Sequence, residues 1–137
     1  MTAPNRLNPP TLPNSEAIGY SQISITTGRL AFVSGQVAIP ADGGLIPADI
    51  VSQTDLIIAN LTEALKALEA SPHDIAQIRI YVVDMTPVEV ETVMRKMGEF
   101  LSGAKPSLTG IGVSALASPE FLLEIEMVVQ LADRSAD

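Results

Sequence analysis

The sequence predicts a single α+β domain in which two helices cover one face of a mixed β-sheet. Three observations predict it. Two stretches, 50–70 and 88–101, repeat apolar residues at helical spacing. Runs rich in β-branched residues, 75–83 and 121–131 foremost, lie between and beyond them. A chain of 137 residues with 47% apolar content has material for one hydrophobic core and no second.

The elements follow in order. Residues 1–16, rich in Pro and Asn, read as an extended N-terminal segment, the domain proper as 17–132, and 133–137 as a tail. Residues 18–26 alternate loosely and lead through Thr27-Gly28-Arg29 into 30–35, which predicts a β-hairpin. A Pro-Ala-Asp-Gly-Gly loop at 40–44 and Pro47-Ala48-Asp49 then set up the first helix. Its apolar side holds Leu56, Ile57, Leu61, Ala64, Leu65 and Leu68. Ser71-Pro72-His73-Asp74 breaks that helix, and the strand 75–83 follows with Ile78, Ile80 and Val82 on one face. Asp84-Met85-Thr86-Pro87 opens the second helix, carried by Val90, Val93, Met94 and Met97, and Gly103 lies beyond its end. A short strand at 108–115, softened by Gly110 and Gly112, and the long strand 121–131 complete the domain.

Two helices on one face leave the other face bare. The last strand is apolar on both sides apart from Glu124 and Glu126, and an apolar patch of that extent predicts a homo-oligomer with small-ligand clefts between subunits. Composition narrows the chemistry. Sixteen acidic against eight basic residues give a net charge of −8, which opposes nucleic-acid binding. With no cysteine and one histidine, thiol chemistry, thiolate zinc and multi-histidine metal centres are excluded. Residues 1–13 contain no apolar core of a signal peptide, and no apolar run reaches the roughly 18 residues of a spanning helix. A cytoplasmic protein without membrane contact is expected.

Few residues can carry a reaction. Glu124 and Glu126 stand two apart and share a face, where a carboxylate in apolar surroundings can position or protonate a water; the alternative is a rim or interface acid held by hydrogen bonds. Ser34-Gly35-Gln36 ends a strand, with Gly35 permitting close approach, or forms a simple turn. His73 reads as a surface turn, and Gly43-Gly44 lacks the Lys-Ser or Lys-Thr of a phosphate loop.

In this order the motifs resemble the RidA/YjgF family of reactive-intermediate deaminases, also called L-PSP endoribonucleases. Gly19-Tyr20-Ser21-Gln22, Phe32-Val33-Ser34-Gly35-Gln36, the helix from Gln53 to Leu68, Tyr81-Val82-Val83-Asp84-Met85, Pro106 and Glu124-Ile125-Glu126 carry the resemblance, from about 18 to 131. It implies a chorismate-mutase-like (YjgF-like) fold, a homotrimer built around a central barrel, and ligand pockets between subunits. It also implies hydrolysis of imines or enamines with no metal and no organic cofactor. There an arginine in a Pro-Ala-Arg-Ser segment holds the substrate carboxylate and a glutamate, here Glu124, positions the water.

The chain departs from that pattern where it matters most. Pro106-Ser107-Leu108-Thr109 occupies the segment, so Leu108 stands where the arginine is expected. Thr92 stands near a common asparagine and Arg95 near a common tyrosine. Arg95 or Lys105 could restore a charge, although a solvated helix-surface arginine is the simpler reading of Arg95. The expected site comprises Glu124 as the catalytic acid, with Tyr20, Ser34, Gly35, Thr92, Arg95, Ser107, Leu108 and Thr109 around the ligand. The expected activity is deaminase-like hydrolysis of a metabolite other than a 2-imino acid, and the alternative is a noncatalytic metabolite-binding or holdase-like trimer.

Overall fold

A computed structural model of the chain describes residues 3–133. Of the expected tail, 134–137 lie outside the described residues. Six strands, β1 (Asn5–Leu7), β2 (Ile23–Ile25), β3 (Leu30–Gln36), β4 (Ile75–Val83), β5 (Ser107–Val113) and β6 (Leu123–Gln130), alternate with helices α1 (Ile50–Ala67) and α2 (Pro87–Leu101).

The main sheet has the order β3-β6-β4-β5. Strand β6 is antiparallel to both neighbours and β4 runs parallel to β5, so the sheet is mixed as expected. Alternation along the strands separates two faces. Ile78, Ile80 and Val82 of β4 and Leu123, Ile125, Met127 and Val129 of β6 are buried under Ile57, Leu61 and Leu65 of α1 and Val93, Met97 and Leu101 of α2. Both helices therefore lie on one face.

The predicted hairpin does not form. Strand β2 pairs with β1, Arg6 opposite Ser24, and β3 pairs with β6. The reason lies in polar groups that a turn signal cannot reveal. The Arg6 guanidinium donates to Ser24 Oγ (2.6 Å) and to the carbonyl of Ile75 (2.6 Å), and Ser24 Oγ meets Ser107 Oγ at 2.8 Å. These bonds strap the β1–β2 ribbon across the start of β4 and β5, and partial burial pulls the Arg6 pKa below its ordinary value. The N-terminal segment is thus extended, yet paired.

Helix α1 begins where Asp49 accepts from the Ser52 amide at 2.8 Å, a bond that lowers the Asp49 pKa. It ends at Ala67, short of the predicted 70, because Glu69 turns left-handed (φ 53°) and the Ala70 amide reaches back to Leu65 O. Helix α2 is capped by Thr86, with Pro87 in its first turn, and closed by Ser102 and Gly103 at positive φ. Gln53, fully buried, donates to the carbonyls of Pro47 and Glu120 and accepts from the Leu122 amide, all within 2.9 Å. It fixes α1 to the entrance of β6.

Candidate functional site

The uncovered face of the sheet is built by register. Antiparallel pairing sets Arg79 opposite Glu126 and Tyr81 opposite Glu124, and parallel pairing sets Arg79 opposite Thr109. Gln77, Arg79 and Tyr81 therefore share this face with Glu124, Glu126, Ser107 and Thr109. Phe32, 77% exposed, and Ser34 border it from β3. An open depression of about 400 Å³ is lined by Phe32, Ser34, Gln77, Arg79, Glu126 and Val128.

The two glutamates have different surroundings. Glu126 Oε1 accepts from the Tyr81 hydroxyl at 2.6 Å and lies 3.4 Å from Arg79 Nη1. That hydrogen bond, more than burial, raises the Tyr81 pKa above its ordinary value. Glu124 instead lies against Gly35. A Cβ built at Gly35 would stand 2.6 Å from Glu124 Cδ and 2.8 Å from its Cγ, so only glycine leaves the carboxylate this position. Gly35 sits in the irregularity between Val33 and Gln36, where β3 slips its register with β6. Gly35 and Glu124 thus form one group, with Ser34 preceding Gly35 in the chain.

Tyr20, half-buried, belongs to a second group. The next residue, Ser21, donates its amide to Pro106 O at 3.1 Å and pairs with Ser107, which brings Tyr20 to the segment holding Ser107 and Thr109. Leu108 points the other way. It is in register with Ile78 on the helix-covered face and packs partly buried against the core. Strand β4 lies between it and β6, so Leu108 and Glu124 of one chain are two strand spacings apart across the sheet, roughly 10 Å, three residues apart along it, and on opposite faces.

Thr92 and Arg95 lie off the buried side of α2, which is formed by Val93, Met97 and Leu101. Thr92 Oγ1 bonds back to the Val88 carbonyl at 3.1 Å, and Arg95 is exposed. Lys105 is half-buried, and His73 is exposed in a 3-10 turn over Pro72–Asp74. One chain does not bring Arg95 to Glu124. Among the described residues no group of three or more His, Asp or Glu is arranged to hold a metal ion, and no helix is long and apolar enough to cross a membrane.

Sequence reading missed the partners of Glu126. The signal was present, since Arg79 and Tyr81 alternate on the polar face of β4, but pairing a glutamate with them requires the β4–β6 register. The Gln53 clamp gave no signal, because a glutamine at the edge of an apolar stripe reads as surface.

Comparisons with known proteins agree with this architecture. The family model described as Endoribonuclease L-PSP matches residues 13–131. A RutC family protein of Pyrococcus abyssi is 30% identical over 110 residues, 80% of this chain and 84% of that protein. TdcF of Escherichia coli K12, named as a candidate reactive intermediate deaminase, is 26% identical over 113 residues, 82% and 87% of the two chains. Among solved structures, YyfB of Yersinia pestis, described as a protein of unknown function in the conserved Rid family, superposes with a TM-score of 0.87 at 37% identity. The match covers 96% of this chain and 100% of that one.

Proposed function

The chain belongs to the endoribonuclease L-PSP family, the RidA/YjgF family of its motifs, and from that premise we propose a homotrimer whose intersubunit pocket hydrolyses a small imine or enamine other than a 2-imino acid. The observation that carries this reading is Leu108 in place of the expected arginine, together with a retained Glu124 whose carboxylate rests against Gly35. The candidate site residues fall on opposite faces of a single sheet, and a second copy is the simplest way to join them. The partly apolar bare face, with Phe32 at its border, favours that assembly.

The chemistry needs only the carboxylate. Glu124 takes a proton from water as the oxygen bonds to the imine carbon and returns it to the nitrogen, giving a carbinolamine; the carboxylate then carries the hydroxyl proton to the same nitrogen as the C–N bond breaks, so that C=O forms and ammonia leaves. A guanidinium would hold a substrate carboxylate through two charge-assisted bonds of roughly 1.5–3 kcal/mol each. Leucine offers none, so a 2-imino acid loses its anchor while a neutral ligand loses nothing. RNA cleavage is disfavoured by the charge of −8. TdcF, by its name, supports the deaminase class.

Steady-state hydrolysis of 2-iminobutanoate tests the reading. The protein should be nearly inert towards it, Leu108→Arg should raise kcat/KM by about a hundredfold or more, and Glu124→Gln should abolish the gain. Brisk hydrolysis without the arginine would sink the proposal. A Glu124→Gln variant with every function intact would favour the noncatalytic, ligand-holding alternative.

A further inference from the structure

We propose that the cleft between α2 and β5 is a subsite for a short uncharged alkyl group, so that the imine hydrolysed derives from a simple amine rather than from an amino acid. This rests on the hydrolytic reading above and names its substrate class.

The cleft arises from missing side chains. On the helix-covered side, β5 presents Leu108, Gly110 and Gly112, in register with Ile78, Ile80 and Val82. A Cβ at Gly110 would meet nothing within 4 Å, and one at Gly112 would touch only Met85, at 3.6 Å. Neither glycine has a positive φ, so neither is required by backbone geometry. Their effect is to leave the first half of α2 without partners along this strand. A cavity of about 30 Å³ results, walled by Ile80, Val82, Met85, Val90, Val93 and Met94, with Gly110 as its floor.

Size and polarity define the occupant. A water needs roughly 10–15 Å³ and two or more polar partners. This cavity has the room, but every side chain lining it is apolar. A methyl-sized group fits, and a chain of two or three carbons can continue over the side-chain-free strip at Gly110 and Gly112. Met85, 39% exposed, and Val88, 73% exposed, extend the apolar surface outward. A carboxylate placed here would be desolvated without a donor. For a neutral substrate R–CH=NH the balance is R–CH=NH + H2O → R–CHO + NH3, with the Glu124 carboxylate of a neighbouring copy, since this chain's own Glu124 lies across the sheet, carrying both of the water's protons to nitrogen in turn.

Two of the five methionines line the cleft, whereas Met97 and Met127 lie in the core, so 13C-methyl-methionine spectra of the intact protein read its occupancy without turnover. Butanone and 2-oxobutanoate differ by a methyl against a carboxylate. Butanone should shift Met85 and Met94 saturably with Met97 and Met127 unmoved, and 2-oxobutanoate should bind at least tenfold more weakly. Gly110→Val, which fills open space in a strand, should cut butanone affinity at least tenfold with an unchanged melting temperature.

Equal binding of the two ligands, a full response in Gly110→Val, or no shift of Met85 and Met94 would each overturn the subsite. Turnover of the imine generated from propylamine, compared with Glu124→Gln, reports separately on hydrolysis. Butanone binding without Glu124-dependent turnover would leave the cleft as an alkyl site and remove the hydrolytic reading.

Discussion

The two faces of the main sheet alternate residue by residue along the same strands and do opposite work. On β6, Leu123, Ile125, Met127 and Val129 are at most 2% exposed beneath the helices, while Glu124, Glu126 and Val128 between them face outward. The inner face supplies the apolar burial that holds the domain together. The outer face supplies hydrogen bonds and charge, with Tyr81 and Arg79 on Glu126 and a carboxylate resting on Gly35. The buried packing and the polar network of the outer face can therefore change separately, although their residues are sequence neighbours.

That separation can be broken in three places. Ile125, fully buried between the two glutamates, should show the largest effect on folding. Ile125→Ala should cost about 3–4 kcal/mol and lower Tm by roughly 10–15 °C in a thermal melt. If it is neutral, the inner face is not the core. Gly35→Ala should reverse the pattern. Its methyl must push Glu124 aside, so hydrolysis should fall roughly ten- to a hundredfold while Tm moves by less than about 3 °C.

The smallest effect is on Tyr81. Its hydrogen bond to Glu126 favours the protonated phenol and raises the folded-state pKa. The bond's contribution is therefore complete below the ordinary phenol range near pH 10 and disappears as pH rises through the elevated value. Ultraviolet titration should show a late-ionising tyrosine that Tyr81→Phe removes and Glu126→Gln moves to lower pH. An unchanged titration in Glu126→Gln would separate the pair.

Much of this was legible in the sequence. Ile78, Ile80 and Val82 announced a strand buried on one side, two apolar stripes announced the helices, and Glu124 and Glu126 at spacing two announced a shared face. These are local periodicities, and periodicity survives in sequence. Thr27-Gly28-Arg29 misled because a turn signal says where a chain can reverse and not which strand receives it; Arg6 and Ser24 decided that through partners some seventy to eighty residues away in the chain. For the same reason the sequence could not place Leu108 behind the sheet from Glu124, or reveal the opening that Gly110 leaves beside α2. Both depend on the β4–β5 register.

Strand β6 is drawn from residues 123–130 and lies between β3 and β4. During biosynthesis, α1, β4, α2 and β5 are all synthesised before the strand that belongs in the middle of their sheet. Until it arrives, β3 has no neighbour in the main sheet and one edge of β4 stands open, an edge that can recruit a strand from another nascent chain. Translation pauses before Leu123 would prolong that exposure, whereas rapid completion of β6, anchored by Gln53 at its entrance, closes both gaps together.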